Sequence, residues 1–158
     1  MPIKSFRAKI KHNTIDTISL KTNNGATGYR ITKFELFSAS PSPERTESTM
    51  KIYKTPQSAA DGAVNFSDQT LLAAAFLGNY EQAQYPFKYT VVFDNEIFNQ
   101  DIYVTYDAGD ASTVDCNYYI ELEQIKLDLN ENTVATLKDI RNNTQAWVLQ
   151  FTISIWIG

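Results

Sequence analysis

Along most of the chain, apolar and polar residues alternate with a period of two, the spacing of a strand with one face in a core and one in water. The most ordered stretch runs from Phe87 to Leu127 and contains YTVVFD, IYVTYD and CNYYIELEQIKL, which predict three strands. In the last of these, Tyr118, Ile120 and Leu122 fall on one face, and Tyr119, Glu121 and Glu123 on the other. Between them, AGDAS (108–112) reads as a turn that joins the last two strands into a hairpin, because Gly and Asp tolerate the backbone angles of a reversal.

The flanking segments follow the same logic. IKSFRAKIK (3–11) alternates imperfectly and reads as an edge strand or an extended arm. Ile15 to Lys21 predicts a second strand, closed by the turn signal Asn23-Asn24-Gly25. Tyr29 to Phe37 predicts a long strand in which neither face is wholly apolar, so a bulge or a shift of burial is expected along it. Ser38 to Ser48, with its prolines and serines, is a loop. Thr49 to Lys54 is a further strand, and residues 56–67 a further loop.

Two segments carry helical signals. Asp68 to Leu77 contains TLLAAAFL behind a Ser67 or Asp68 cap and before a Gly78-Asn79 stop, and predicts a short helix plugging one end of the fold. Asn130 to Asn143 predicts a second, with Lys138 and Arg141 placed to favour the negative end of the helix dipole. The chain then finishes in WVLQFTISIWIG, where Trp147, Leu149, Phe151, Ile153, Ile155 and Ile157 share one side and Trp156 lies on the other. A run this short and uncharged does not span a membrane as a helix, and as an exposed edge it would aggregate. It must be paired, either in its own sheet or with a neighbouring subunit by strand donation. The expected fold is a single all-β domain over residues 1–158, a jelly-roll-like β-sandwich with two short helices; a closed barrel is the alternative.

Charge is distributed unevenly within a net of −4. Residues 1–54 carry ten Lys/Arg against four acids, and residues 55–128 two Lys against twelve acids. Two poles of opposite sign suit head-to-tail packing or an oppositely charged partner, unless the blocks intermix in space. The basic N-terminal residues Lys4, Arg7, Lys9 and Lys11 suit a solvated strand face better than nucleic acid in so acidic a chain. MPIKSFRAKIKH shows neither the apolar core nor the cleavage site of a secretory signal, so synthesis in a cytoplasm is expected.

Candidate chemistry is sparse. His12 is the sole His and Cys116 the sole Cys, which leaves no hydrolytic triad, no zinc spacing and no intrachain disulfide. No Gly-rich phosphate loop is present. The chain is therefore read as a non-enzymatic protein without a cofactor. Carboxylates are the exception, because Asp107, Asp110 and Asp115 offer hard oxygen ligands of the kind Ca²⁺ requires, though without EF-hand spacing. Tyr103 and Tyr119, with Tyr80 and Tyr85, are candidates for a carbohydrate platform or for packing against a neighbour. Trp147, Leu149, Phe151, Ile153, Ile155 and Trp156, with Tyr103 and Tyr119, are the candidate interface residues.

FDNEIFNQDIYVTYD…CNYYIELEQIKL followed by NENTVATLKDIRNN resembles the small β-sandwich virion proteins of tailed bacteriophages, over roughly residues 29–143. Short strands, the Ser/Pro loop, the small plugging helices and the Tyr-rich acidic hairpin carry the likeness. The resemblance implies a capsid decoration (cement) protein, made in the host cytoplasm and located in the virion. Its partners would be the major capsid protein or other virion proteins and further copies of itself, with no membrane. A tail or head–tail component is the alternative within that class, and a carbohydrate-binding module the rival outside it.

Overall fold

A computed structural model describes residues 2–20, 25–41, 46–79, 87–93, 95–109 and 114–128. They form β1 (Ile3–Ile10), β2 (Thr14–Ile18), β3 (Thr27–Ser38), β4 (Thr46–Tyr53), β5 (Leu71–Asn79), β6 (Phe87–Val92), β7 (Ile102–Asp107) and β8 (Cys116–Lys126). The strands build two antiparallel sheets, β1-β8-β3 and β2-β7-β4-β5-β6. Pairing is nested: β1 joins β8, β2 joins β7 and β4 joins β5, while β3 and β6 lie side by side where the sheets meet. This is the strand order of a jelly roll with its third pair left open. At that seam Tyr29 and Phe98 exchange backbone hydrogen bonds of 2.7 and 3.0 Å, and a Lys88–Glu35 ion pair spans the strands. The seam stops short of a closed barrel.

The core follows from the period-two pattern. Ile102, Val104 and Tyr106 of β7 meet Met50 and Ile52 of β4 and Ile120 and Leu122 of β8, all fully buried. In β3, Tyr29 and Ile31 are buried before a register shift between Ile31 and Lys33, and Phe34 and Leu36 after it. One extra residue, Thr32, changes which alternate positions face inward, as the mixed faces of YRITKFELF predict. Buried tyrosines find partners for their hydroxyls. Tyr106 donates to the Val114 carbonyl at 2.6 Å and lies 3.2 Å from the Ser48 hydroxyl. Tyr118 donates to Asp16 at 3.4 Å, tying β8 in one sheet to β2 in the other.

Two expectations are corrected. Residues 68–77 do not form a helix: β5 runs through Leu71–Asn79, hydrogen-bonded to β4 on one side and β6 on the other. Leu71 to Ala75 are all buried, because a central strand roofed on both faces needs an unbroken apolar run. Such a run has no periodicity to separate it from a helix, and sheet neighbours override the helix propensity of Ala. Nor do β7 and β8 form a hairpin. β7 lies between β2 and β4, and β8 between β1 and β3, so the segment between them crosses from one sheet to the other. Gly109 adopts the expected left-handed conformation at φ 68, but it opens a crossover rather than a reversal. The predicted helix at 130–143 and strand at 147–158 lie outside the described residues.

Candidate functional site

The outer face of the three-stranded sheet is set by register. Across β1, β8 and β3 the outward rows are Ile3–Glu123–Arg30, Ser5–Glu121–Lys33, Arg7–Tyr119–Glu35 and Lys9–Asn117–Phe37. In the first two rows charges compensate: Arg30 pairs with Glu123, and Glu121 accepts a 2.7 Å hydrogen bond from the Tyr119 hydroxyl. That bond holds the Tyr119 phenol above its ordinary pKa. Lys33 lies 5.7 Å over the Tyr119 ring. The last two rows, with Lys88 at the far rim, line an open trough of about 530 Å³. Phe37 on its floor is 67% exposed.

The outer face of the five-stranded sheet differs. Segment 54–70 lies over it, fastened by Lys51, whose Nζ donates to Asp61 at 2.9 Å and to the Ala63 carbonyl at 2.6 Å. The Lys51 side chain is only 4% exposed. Burial pulls the ammonium pKa down, but hydrogen bonds with Asp61 and Tyr53 outweigh it and leave the pKa raised. Lys54, equally buried, reaches Glu96 at 3.4 Å. Beyond this roof, at the sheet's edge, Phe87, Tyr89 and Val91 of β6 stand outward at 49, 67 and 40% exposure. Tyr89 sits opposite Phe76 of β5 in the register. Phe93 continues the stripe, and Phe66 meets it edge-on with ring centres 5.4 Å apart.

The acid-rich stretch is spent on the fold. Asp101 accepts from the Leu20 amide at 3.0 Å, Asp107 from the Gly109 amide at 2.6 Å, and Asp115 from the His12 amide at 3.3 Å. The described ion pairs, His12–Asp115, Arg30–Glu123, Lys51–Asp61, Lys54–Glu96 and Lys88–Glu35, each join the basic block of the sequence to the acidic one or the reverse. The two blocks therefore intermix in space instead of forming poles. Among the described residues no three His, Cys, Asp or Glu side chains gather as a metal-binding group. Of the calcium candidates, Asp107 and Asp115 hold separate turns and Asp110 lies outside the described residues.

Burial pushes the Cys116 thiol up to about 11, outweighing hydrogen bonding with the Phe37 backbone and Ser48, so it is a poor nucleophile near neutrality. Tyr103 and Tyr119 stand on the outer faces of different sheets and cannot share one platform. Tyr80, Tyr85, Trp147, Leu149, Phe151, Ile153, Ile155 and Trp156 lie outside the described residues.

Sequence reasoning missed the two exposed features, the β6 stripe and the trough. Phe87, Tyr89 and Val91 occupy every second position, which marks a face but not whether a second layer covers it. Arg7 and Lys9 were legible as a basic edge, but their meeting with Phe37 depends on a register through β8. No protein-family model, no curated protein and no solved structure matches this chain.

Proposed function

We propose that this chain is a non-enzymatic virion structural protein of the capsid decoration type, which stabilises a shell by bridging neighbouring subunits. The observation that carries the reading is the stripe of Phe87, Tyr89 and Val91 along the strand that ends its sheet among the described residues. Monomeric proteins seldom leave contiguous apolar surface bare, and such surface marks an interaction site. Each aromatic side chain can bury about 150–250 Å² against a partner, at about 25 cal/mol per Å². The likeness of residues 29–143 to small phage virion proteins supplies the class of partner, a shell protein with copies of this chain beside it.

Pelleting with assembled shells of the encoding phage tests the reading, with ultracentrifugation of the chain alone alongside. Wild-type protein should co-sediment, and Tyr89→Glu should weaken binding about tenfold or more, since it buries a charge where a ring was. A chain that stays monomeric and remains in the supernatant with every shell preparation would overturn the proposal.

A further inference from the structure

The trough on the three-stranded sheet has a chemistry unlike the rest of the surface, and the rows of the register say why. β1 is an edge strand, and Arg7 and Lys9 are alternate residues on it, so both cations project to the same side about 7 Å apart. Neither forms an ion pair among the described residues. The nearest carboxylate in their rows is Glu35, two strands away, and it is engaged by Lys88. Between the cations and that pair lie two aromatic rings and one amide. Phe37, 67% exposed, offers an apolar face, and Asn117 supplies both donor and acceptor capacity. Tyr119 is already fixed, its hydroxyl on Glu121 and Lys33 over its ring. A binding floor whose rotamers are set beforehand loses little entropy when a ligand arrives.

We propose that this trough is a binding site for a short acidic saccharide. The ring of a sugar lies on Phe37, its hydroxyls meet Asn117, and its carboxylate or sulfate faces Arg7 and Lys9. Three observations select this ligand. The volume of about 530 Å³ matches one or two sugar rings and falls within the usual range of small-ligand sites, about 300–1,000 Å³. Of the charged residues lining the trough, Arg7 and Lys9 alone have no ion-pair partner among the described residues, which calls for one or two negative groups, not many. A polyanion such as single-stranded nucleic acid, though it too would use cations and stacking rings, must continue over the adjacent rows, where it meets Glu121 and Glu123 of the same strand, on a chain of net charge −4. The site does not depend on assembly: the chain keeps it whether or not a shell is its partner.

Titration calorimetry on the full chain tests the site, with digalacturonate as probe. A neutral disaccharide, inorganic phosphate and a short single-stranded oligonucleotide serve as comparisons. Saturable millimolar binding of digalacturonate is expected, at least about tenfold tighter than the neutral sugar and weakened by salt. Lys9→Gln, Arg7→Gln and Phe37→Ala should each weaken it several-fold or more while leaving the melting temperature near wild type, since all three side chains are exposed. Should one of these variants unfold, the others still read the site. Absence of digalacturonate binding, or equal binding by all three variants, overturns the proposal. Phosphate binding as tight as digalacturonate and indifferent to Phe37→Ala would reveal a simple anion site, and tighter binding of the oligonucleotide a nucleic-acid groove; either result also overturns it.

Discussion

On the three-stranded sheet no described segment covers the outer face, and charges meet across strands in rows. On the five-stranded sheet much of the outer face is roofed by segment 54–70, and a lysine in the same kind of outward strand position is sealed beneath it. Lys33 and Lys51 are alike in sequence terms, each in a strand and each followed by a large apolar residue. One ends over an aromatic ring in water, the other is a buried cation with a carboxylate and a carbonyl built around it. What separates them is a loop contributed from outside the strand. A polar residue on a sheet is therefore a structural part or a recognition group according to what covers it, and the covering segment carries no periodicity of its own.

The largest effect is expected where the roof is fastened. Asp61→Ala leaves the buried Lys51 ammonium with the Ala63 carbonyl and Tyr53 but no carboxylate, and urea unfolding should show a loss of about 1–3 kcal/mol, the usual cost of removing a partner from a buried polar group. Segment 54–70 should also become more sensitive to limited proteolysis. Adding Lys51→Met to Asp61→Ala should recover part of the loss, because a buried charge without its partner is worse than an apolar side chain. Wild-type stability in Asp61→Ala would mean that the roof is held by something other than this pair.

A smaller effect is expected from pH, and it has two limbs. The Lys51 pKa is raised above 10.5 in the folded protein, so its contribution is complete below that value and is lost as pH rises through the folded pKa. Hydrogen bonding to Lys51 lowers the Asp61 pKa below 3.8, so its contribution is complete above that value and is lost as pH falls through the folded pKa. Between pH 7 and 3, wild type should lose more stability than Asp61→Asn in paired urea titrations. Parallel curves would show that Asp61 contributes nothing to the acid limb.

The smallest effect belongs to the outer face of the three-stranded sheet. Arg30→Ala removes an ion pair whose arginine is 42% exposed, and should change stability by about 0.2–1 kcal/mol, less at high salt. A cost comparable to that of Asp61→Ala would erase the contrast between the two faces.

Much of this fold was legible along the chain. The alternation in CNYYIELEQIKL placed Tyr118, Ile120 and Leu122 inward, and the mixed faces of YRITKFELF announced the bulge after Ile31. What failed did so for identifiable reasons. LLAAAFL carries strong helix formers, and only the presence of strands on both sides makes β5 of it. β7 and β8 are neighbours in sequence with turn residues between them, yet each completes its edges with strands far earlier in the chain. The candidate surfaces were less legible still. Phe37 sits among Leu36 and Phe34, which are buried, and only the phase shift of the bulge turns it outward.

Nested pairing has a consequence for how the chain comes into being. Ile3 waits for Glu123, and Thr14 for Tyr106, whereas β4, β5 and β6 pair with strands adjacent in sequence. During synthesis the β4-β5-β6 meander can organise as soon as it emerges. The first two strands remain without partners until β7 and then β8 follow. Contacts this distant in sequence slow folding, because loop-closure entropy must be met before they form. In the newborn chain the N-terminal strand, studded with Lys4, Arg7 and Lys9, thus stays solvated by its own charges until the last described strand arrives to cover its edge.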